Sequence, residues 1–121
     1  MIGLFLLTHS TYGEALIQCA CHVLNKRPLQ IAQLGVAAQD DPLDALPLAR
    51  DTLKLVDTGR GVLILTDIYG ATPSNLAMKL LEPGRVEGVA GVNLPMLLRA
   101  IAYRDKDMET LLTRTVAGGR D

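Results

Sequence analysis

Gly61-Val62-Leu63-Ile64-Leu65-Thr66-Asp67 is the stretch from which the fold is read. Its four consecutive apolar residues, entered through Gly61 and left through Thr66-Asp67, have no polar face. That is the pattern of a strand covered on both sides, and such strands belong to parallel sheets shielded by crossover helices. On the C-terminal side, Thr72-Pro73 has the form of an N-cap followed by Pro at the first helical position. Leu76, Ala77, Leu80 and Leu81 then supply a helix face before Pro83-Gly84. Further on, Val86–Val92 reads as a strand, and Asn93 as the cap of a helix with Leu94, Leu97, Leu98 and Ile101 on one side. A last amphipathic segment, Met108, Leu111, Leu112 and Thr115, runs toward Gly118-Gly119.

On the N-terminal side the same alternation continues. Ile2–Leu7 is a second continuous apolar run, followed by Tyr12, Leu16, Cys19, Ala20 and Val23 at helical spacing. Leu29–Val36 is a weaker strand, closed by Asp40-Asp41-Pro42. Leu46, Ala49, Leu53 and Val56 then mark a helix in which Asp44 is the expected cap, so that Pro47 falls in the first turn, where amides lack intrahelical acceptors. Four strand–helix repeats imply right-handed crossovers, and hence an open, mainly parallel four-stranded α/β sheet with helices on both faces.

Composition limits what such a sheet could do. With 121 residues, 49% hydrophobic and 21% charged, residues 1–121 read as one domain. Twelve basic side chains against thirteen acidic ones give a net charge of −1, which provides no field for nucleic acid or an anionic membrane. Aromatic residues make up only 3%, which argues against base-stacking platforms. No apolar run reaches the roughly 18 to 20 residues of a membrane span, and no basic residue precedes the first, so neither signal peptide nor membrane insertion is expected. Cys19 and Cys21 point about 200° apart on a helix and cannot easily bridge each other, which fits a reducing cytoplasm.

In an open parallel sheet, chemistry collects beyond the carboxyl ends of the strands. Three segments lie there: Thr8–Gly13, Thr66–Asn75 and Gly91–Pro95. His9 and Asp67 follow strands expected to be adjacent, so the carboxylate could accept one ring N–H and leave the opposite nitrogen free as a nucleophile or base. Taken alone, His9 capping a turn and Asp67 binding local amides would be the commoner outcome. What shifts the balance is Ile68-Tyr69-Gly70-Ala71-Thr72-Pro73-Ser74-Asn75, a small-residue turn running into a helix N-terminus whose unpaired amides favour an anion. There the Thr72 hydroxyl can cap its own helix or donate to a phosphate oxygen.

Gly3-Leu4-Phe5-Leu6-Leu7-Thr8-His9, Asp67 through Asn75, and Gly91-Val92-Asn93-Leu94-Pro95-Met96-Leu97 together resemble the IIA domains of the mannose family of the sugar phosphotransferase system, in order and spacing. The likeness covers essentially all of residues 1 to 117. It implies that His9 takes a phosphoryl group from the phosphohistidine of HPr and passes it to a IIB-type protein, for sugar uptake or regulation. It also implies that Asp67 bonds Nδ1 of His9, that Nε2 carries phosphate, and that the amides around Gly70, Ala71 and Thr72, with the Thr72 hydroxyl, receive its oxygens. No metal, nucleotide or other cofactor is required, because phosphoryl transfer asks mainly for positioning and charge dispersal. A homodimer formed by exchange of a final strand is implied too. That strand would begin about where the sequence reaches Gly118-Gly119-Arg120-Asp121, so either the exchange is absent or it lies past that point.

Two positions depart from the family pattern. Ser10 stands where Gly usually follows the active His, and Ala71 where another Gly is common, so the shape of these loops rather than the chemistry is in question. Three other readings compete. Cys19 and His22 could share a helix face in a zinc site, but a closed structural site takes four ligands and there is no second cluster, so Cys19 is read as a small core residue. A receiver-like domain phosphorylated on Asp67 would need further carboxylates holding Mg²⁺, and none lies beside the first loop. A regulatory module, with its phosphorylation state read by a partner, would use the same His9 chemistry. Arg85, Arg99 and Arg104 are read as solvated surface.

Overall fold

The computed structural model describes residues 1–37 and 40–119. Among the described residues nine elements follow one another, alternating strand and helix as far as a final helix pair: β1 (Gly3–His9), α1 (Tyr12–Leu24), β2 (Ile31–Val36), α2 (Pro42–Val56), β3 (Val62–Leu65), α3 (Thr72–Leu80), β4 (Val86–Val89), α4 (Leu94–Tyr103) and α5 (Met108–Gly118). The strands form one parallel sheet in the order β2-β1-β3-β4. This is the open α/β architecture expected from the apolar runs.

Alternate side chains of each strand feed two cores. Leu4, Leu6, Leu63 and Leu65 pack with Leu16, Ile17 and Ala20 of α1, Met96, Leu97 and Ala100 of α4, and Leu111 of α5. Phe5, Leu7, Val62 and Ile64 pack on the other face with Ala49 and Val56 of α2 and Leu76, Ala77 and Leu80 of α3. β1 and β3 are covered on both sides, which is why neither shows polar alternation. From β1 the chain crosses to β2 on one side, whereas from β3 it crosses to β4 on the other. The order therefore reverses between β1 and β3, and a crevice opens there at their carboxyl ends.

Several local expectations need correction. The apolar stripe of α1 is Gly13, Leu16, Ile17 and Ala20, with Cys21 packed against it, whereas Cys19, Tyr12 and Val23 are exposed. The adjacent pair Leu16-Ile17 sets the buried face, turned from the stripe inferred through Cys19, which is not a core residue. α2 begins at Pro42, because the Asp41 side chain, not Asp44, accepts the Leu43 amide at 2.9 Å; Pro47 consequently lies inside the helix. Strand β4 stops at Val89 rather than Val92. Asn93 does cap α4, accepting the Met96 amide at 3.0 Å. Arg104 is not solvated: it is 3% exposed, and its guanidinium donates to the carbonyls of Ile2, Leu29 and Gln30 at 2.9, 2.6 and 2.6 Å. Arg85 is half-exposed and pairs with Asp57 and Glu82. At the C-terminus α5 ends at Gly118 and Gly119 follows as its cap, while Arg120 and Asp121, where an exchanged strand was expected to begin, lie outside the described residues.

Candidate functional site

The register of the two central strands assembles the site. Leu6 pairs with Leu65, so three residues on along β1 and two on along β3 bring His9 and Asp67 together above the crevice. The His9 backbone amide donates to Asp67 Oδ2 at 3.0 Å, and His9 Nδ1 meets the same oxygen at 2.9 Å. Asp67 Oδ1 accepts the Ile68 amide at 3.0 Å. Burial pushes the Asp67 carboxyl up, but the hydrogen bonds from the His9 amide and ring, with the charge of that ring, hold it below the usual carboxylate value. An ionised carboxylate only accepts, so Nδ1 is the donor of this pair, and in the neutral ring Nε2 carries the free lone pair. The His9 side chain is 36% exposed against 11% for Asp67, so the imidazole opens to solvent while its partner is covered. The adjoining cleft is lined by His9, Tyr12, Asp67 and Ile68.

The loop carrying His9 is held tightly from beneath. Buried Thr8 accepts the Gly13 amide on its hydroxyl at 2.8 Å, and Ser10 donates its amide to the Val36 carbonyl at 3.0 Å. Ser10 has φ +46°, the left-handed conformation that a side chain disfavours, which gives a physical reason for Gly at this place. Its carbonyl lies over Gly35, where any Cβ would overlap it. The departure at Ser10 is visible in the sequence, but the contact with Gly35 is not, because it depends on strand pairing.

The loop after β3 departs from expectation by one residue. The cap of α3 is Ala71, so Thr72 is the first helical residue and its hydroxyl makes no capping bond. Gly70 turns the chain with φ +86°. Among the described residues, nothing bonds the amides of Ala71 and Thr72 or the Thr72 hydroxyl, whereas the Gly70 amide is taken by the Ser74 hydroxyl at 2.8 Å. The loop after β4 is tied in by Tyr12, which donates from its phenol to the Val92 carbonyl at 2.8 Å. Neither role carries a sequence signal. Tyr12 falls on the helical spacing of the inferred α1 stripe, and Ser74 is indistinguishable from any small residue at a helix start.

Cys19, Cys21 and His22 form no candidate centre, since Cys21 packs on the core and Cys19 faces out. Among the described residues no group of three His, Cys, Asp or Glu is arranged to hold a metal ion. Nor, among these residues, is any helix long and apolar enough to cross a membrane.

Comparison with known proteins follows the same line. The chain is 28% identical over 123 residues to the PTS system mannose-specific EIIAB component of Escherichia coli strain K12, covering 99% of this chain and 38% of that protein. A shorter match, 43% identical over 54 residues, covers 44% of this chain and 37% of the PTS system fructose-specific EIIA component of Bacillus subtilis strain 168. This chain therefore spans well under half the length of the mannose-specific EIIAB relative, which it matches along nearly all of its own length. Among solved structures, the mannose/sorbose-specific IIA subunit from Enterococcus faecalis shares the fold with a TM-score of 0.86 at 23% identity, over 98% of this chain and 89% of that one. A family model described as PTS system fructose IIA component matches residues 3–116, from the first residue of β1 into α5 and across all three rim loops. The match thus takes in the whole sheet and the His9–Asp67 crevice, and the chain belongs to the PTS system fructose IIA component family.

Proposed function

We propose that this protein is a phosphoryl carrier in which His9 accepts a phosphoryl group from the phosphohistidine of HPr and passes it to a IIB-type protein, within a sugar phosphotransferase system. The observation that carries this reading is the His9 Nδ1 to Asp67 Oδ2 bond of 2.9 Å beneath a half-open imidazole. Nε2 is then a preoriented nucleophile. Its lone pair attacks the donor's phosphorus as the donor P–N bond breaks and the bonding pair returns to the donor ring. The Nδ1 proton stays on His9, where the Asp67 carboxylate balances the positive charge the phosphorylated ring acquires. The Ala71 and Thr72 amides and the Thr72 hydroxyl are unspent donors at the start of the helix that follows Asp67, suited to equatorial phosphoryl oxygens.

Asp67 itself is poorly placed as the phosphate acceptor, because both its oxygens already take hydrogen bonds and it is largely covered. The test is incubation with phosphoenolpyruvate, enzyme I and HPr. The expected product is an acid-labile, base-stable phosphohistidine that discharges to a IIB protein and does not form in His9→Ala. Undiminished labelling of His9→Ala would remove the reading.

A further inference from the structure

Resting on the phosphoryl-carrier reading, we infer that Ser74 is a positioning residue that decides which amides of the Gly70–Thr72 turn can receive the phosphoryl oxygens. Ser74 lies in the first turn of α3 and is only 4% exposed. Its hydroxyl accepts the Gly70 N–H at 2.8 Å and donates to the Ala71 carbonyl at 3.1 Å. The single hydroxyl proton is thereby spent, and the turn is clamped on both sides of the Gly70–Ala71 peptide. Three consecutive amides precede Pro73, which has no N–H. The clamp removes Gly70 from this donor set and leaves Ala71 and Thr72.

A loop that Gly70 would otherwise leave conformationally free is so held in one arrangement before any phosphate arrives. The Ser74 hydroxyl bonds only the Gly70 amide and the Ala71 carbonyl, not the His9 ring. It acts through the backbone.

The test follows backbone amide shifts by NMR as His9 is phosphorylated by phospho-HPr. In the unaltered chain the Ala71 and Thr72 amide protons should move strongly downfield and Gly70 should stay near its starting position. In Ser74→Ala the Gly70 amide is released and should shift with the other two, and transfer from phospho-HPr should slow by roughly tenfold, short of the roughly hundredfold that a misplacement of about 1 Å can cost. Ser74→Thr keeps the hydroxyl and should restore both readouts. If the unaltered protein phosphorylates but Gly70 shifts as far as Ala71 and Thr72, the inference fails while the carrier reading stands; that measurement needs no variant. Ser74→Ala with unaltered rate and shifts overturns it equally. If the unaltered chain takes no phosphate on His9, the carrier reading itself fails and the inference goes with it.

Discussion

One carboxylate oxygen, Oδ2 of Asp67, accepts both the backbone amide and the ring Nδ1 of His9, at 3.0 and 2.9 Å. The main chain of the loop and the rotation of the imidazole are therefore fixed by the same atom. In Asp67→Asn one oxygen becomes an NH₂ group that accepts nothing, and the oxygen that remains cannot serve both His9 donors and Ile68 at once. We expect that variant to fold and to transfer phosphate on the order of a hundredfold more slowly, because the ring loses both its orientation and its counter-charge. Single-turnover transfer from phospho-HPr measures this; an unchanged rate would remove Asp67 from the mechanism.

The same pair makes a pH prediction. The folded carboxyl titrates below its unfolded value of about 3.9, so the stability it contributes is present above that value and is lost as pH falls through the lower, folded one. The stability gap between the unaltered protein and Asp67→Asn should be flat above about pH 5 and shrink below about pH 4. Urea unfolding across about pH 3 to 7 reads the gap directly, and a gap that widens in acid would reverse the sign.

Ser10 and Gly35 should respond in opposite directions. Ser10→Gly relieves a left-handed residue costing roughly 1–2 kcal/mol, partly offset by the freer unfolded chain, so a gain of up to about 1 kcal/mol is expected. Gly35→Ala drives a methyl into the Ser10 carbonyl and should cost about 2–4 kcal/mol. Denaturant melts of the two variants check both signs.

Arg104 satisfies three carbonyls at the opposite end of the sheet from His9. Arg104→Leu should lose about 2–4 kcal/mol, because the Ile2 and Leu29 carbonyls lose the guanidinium as donor and the Gln30 carbonyl keeps only the Leu4 amide. Phosphoryl transfer per folded molecule should hardly change, since every carbonyl that Arg104 holds lies at that far end. A slowed transfer in fully folded Arg104→Leu would contradict that separation.

What is legible in the sequence follows from how local each cause is. The runs Ile2–Leu7 and Val62–Leu65 announce β1 and β3 because burial on both faces leaves its mark on every residue. The meeting of His9 with Asp67 follows from two such strands lying side by side. Arg104 reads as surface because its acceptors are 74 to 102 residues away in the chain and are carbonyls, which have no residue signature. Asp41 and Asp44 compete to open α2, as Ala71 and Thr72 do to open α3, and the choice depends on where the preceding loop arrives. The clamp at Ser74 is equally silent in sequence, since a Ser near a helix start has several local bonding options.

The strand that ends in His9 is paired along both of its edges, with β2 and with β3. Its ladder amides exchange with solvent only when the centre of the sheet comes apart, so the His9 imidazole is mounted at the end of a central strand, the kind of element that opens least readily. On the proposed relay, a docking partner would meet that ring on a fixed base, so that most of the adjustment in an encounter would fall to the partner.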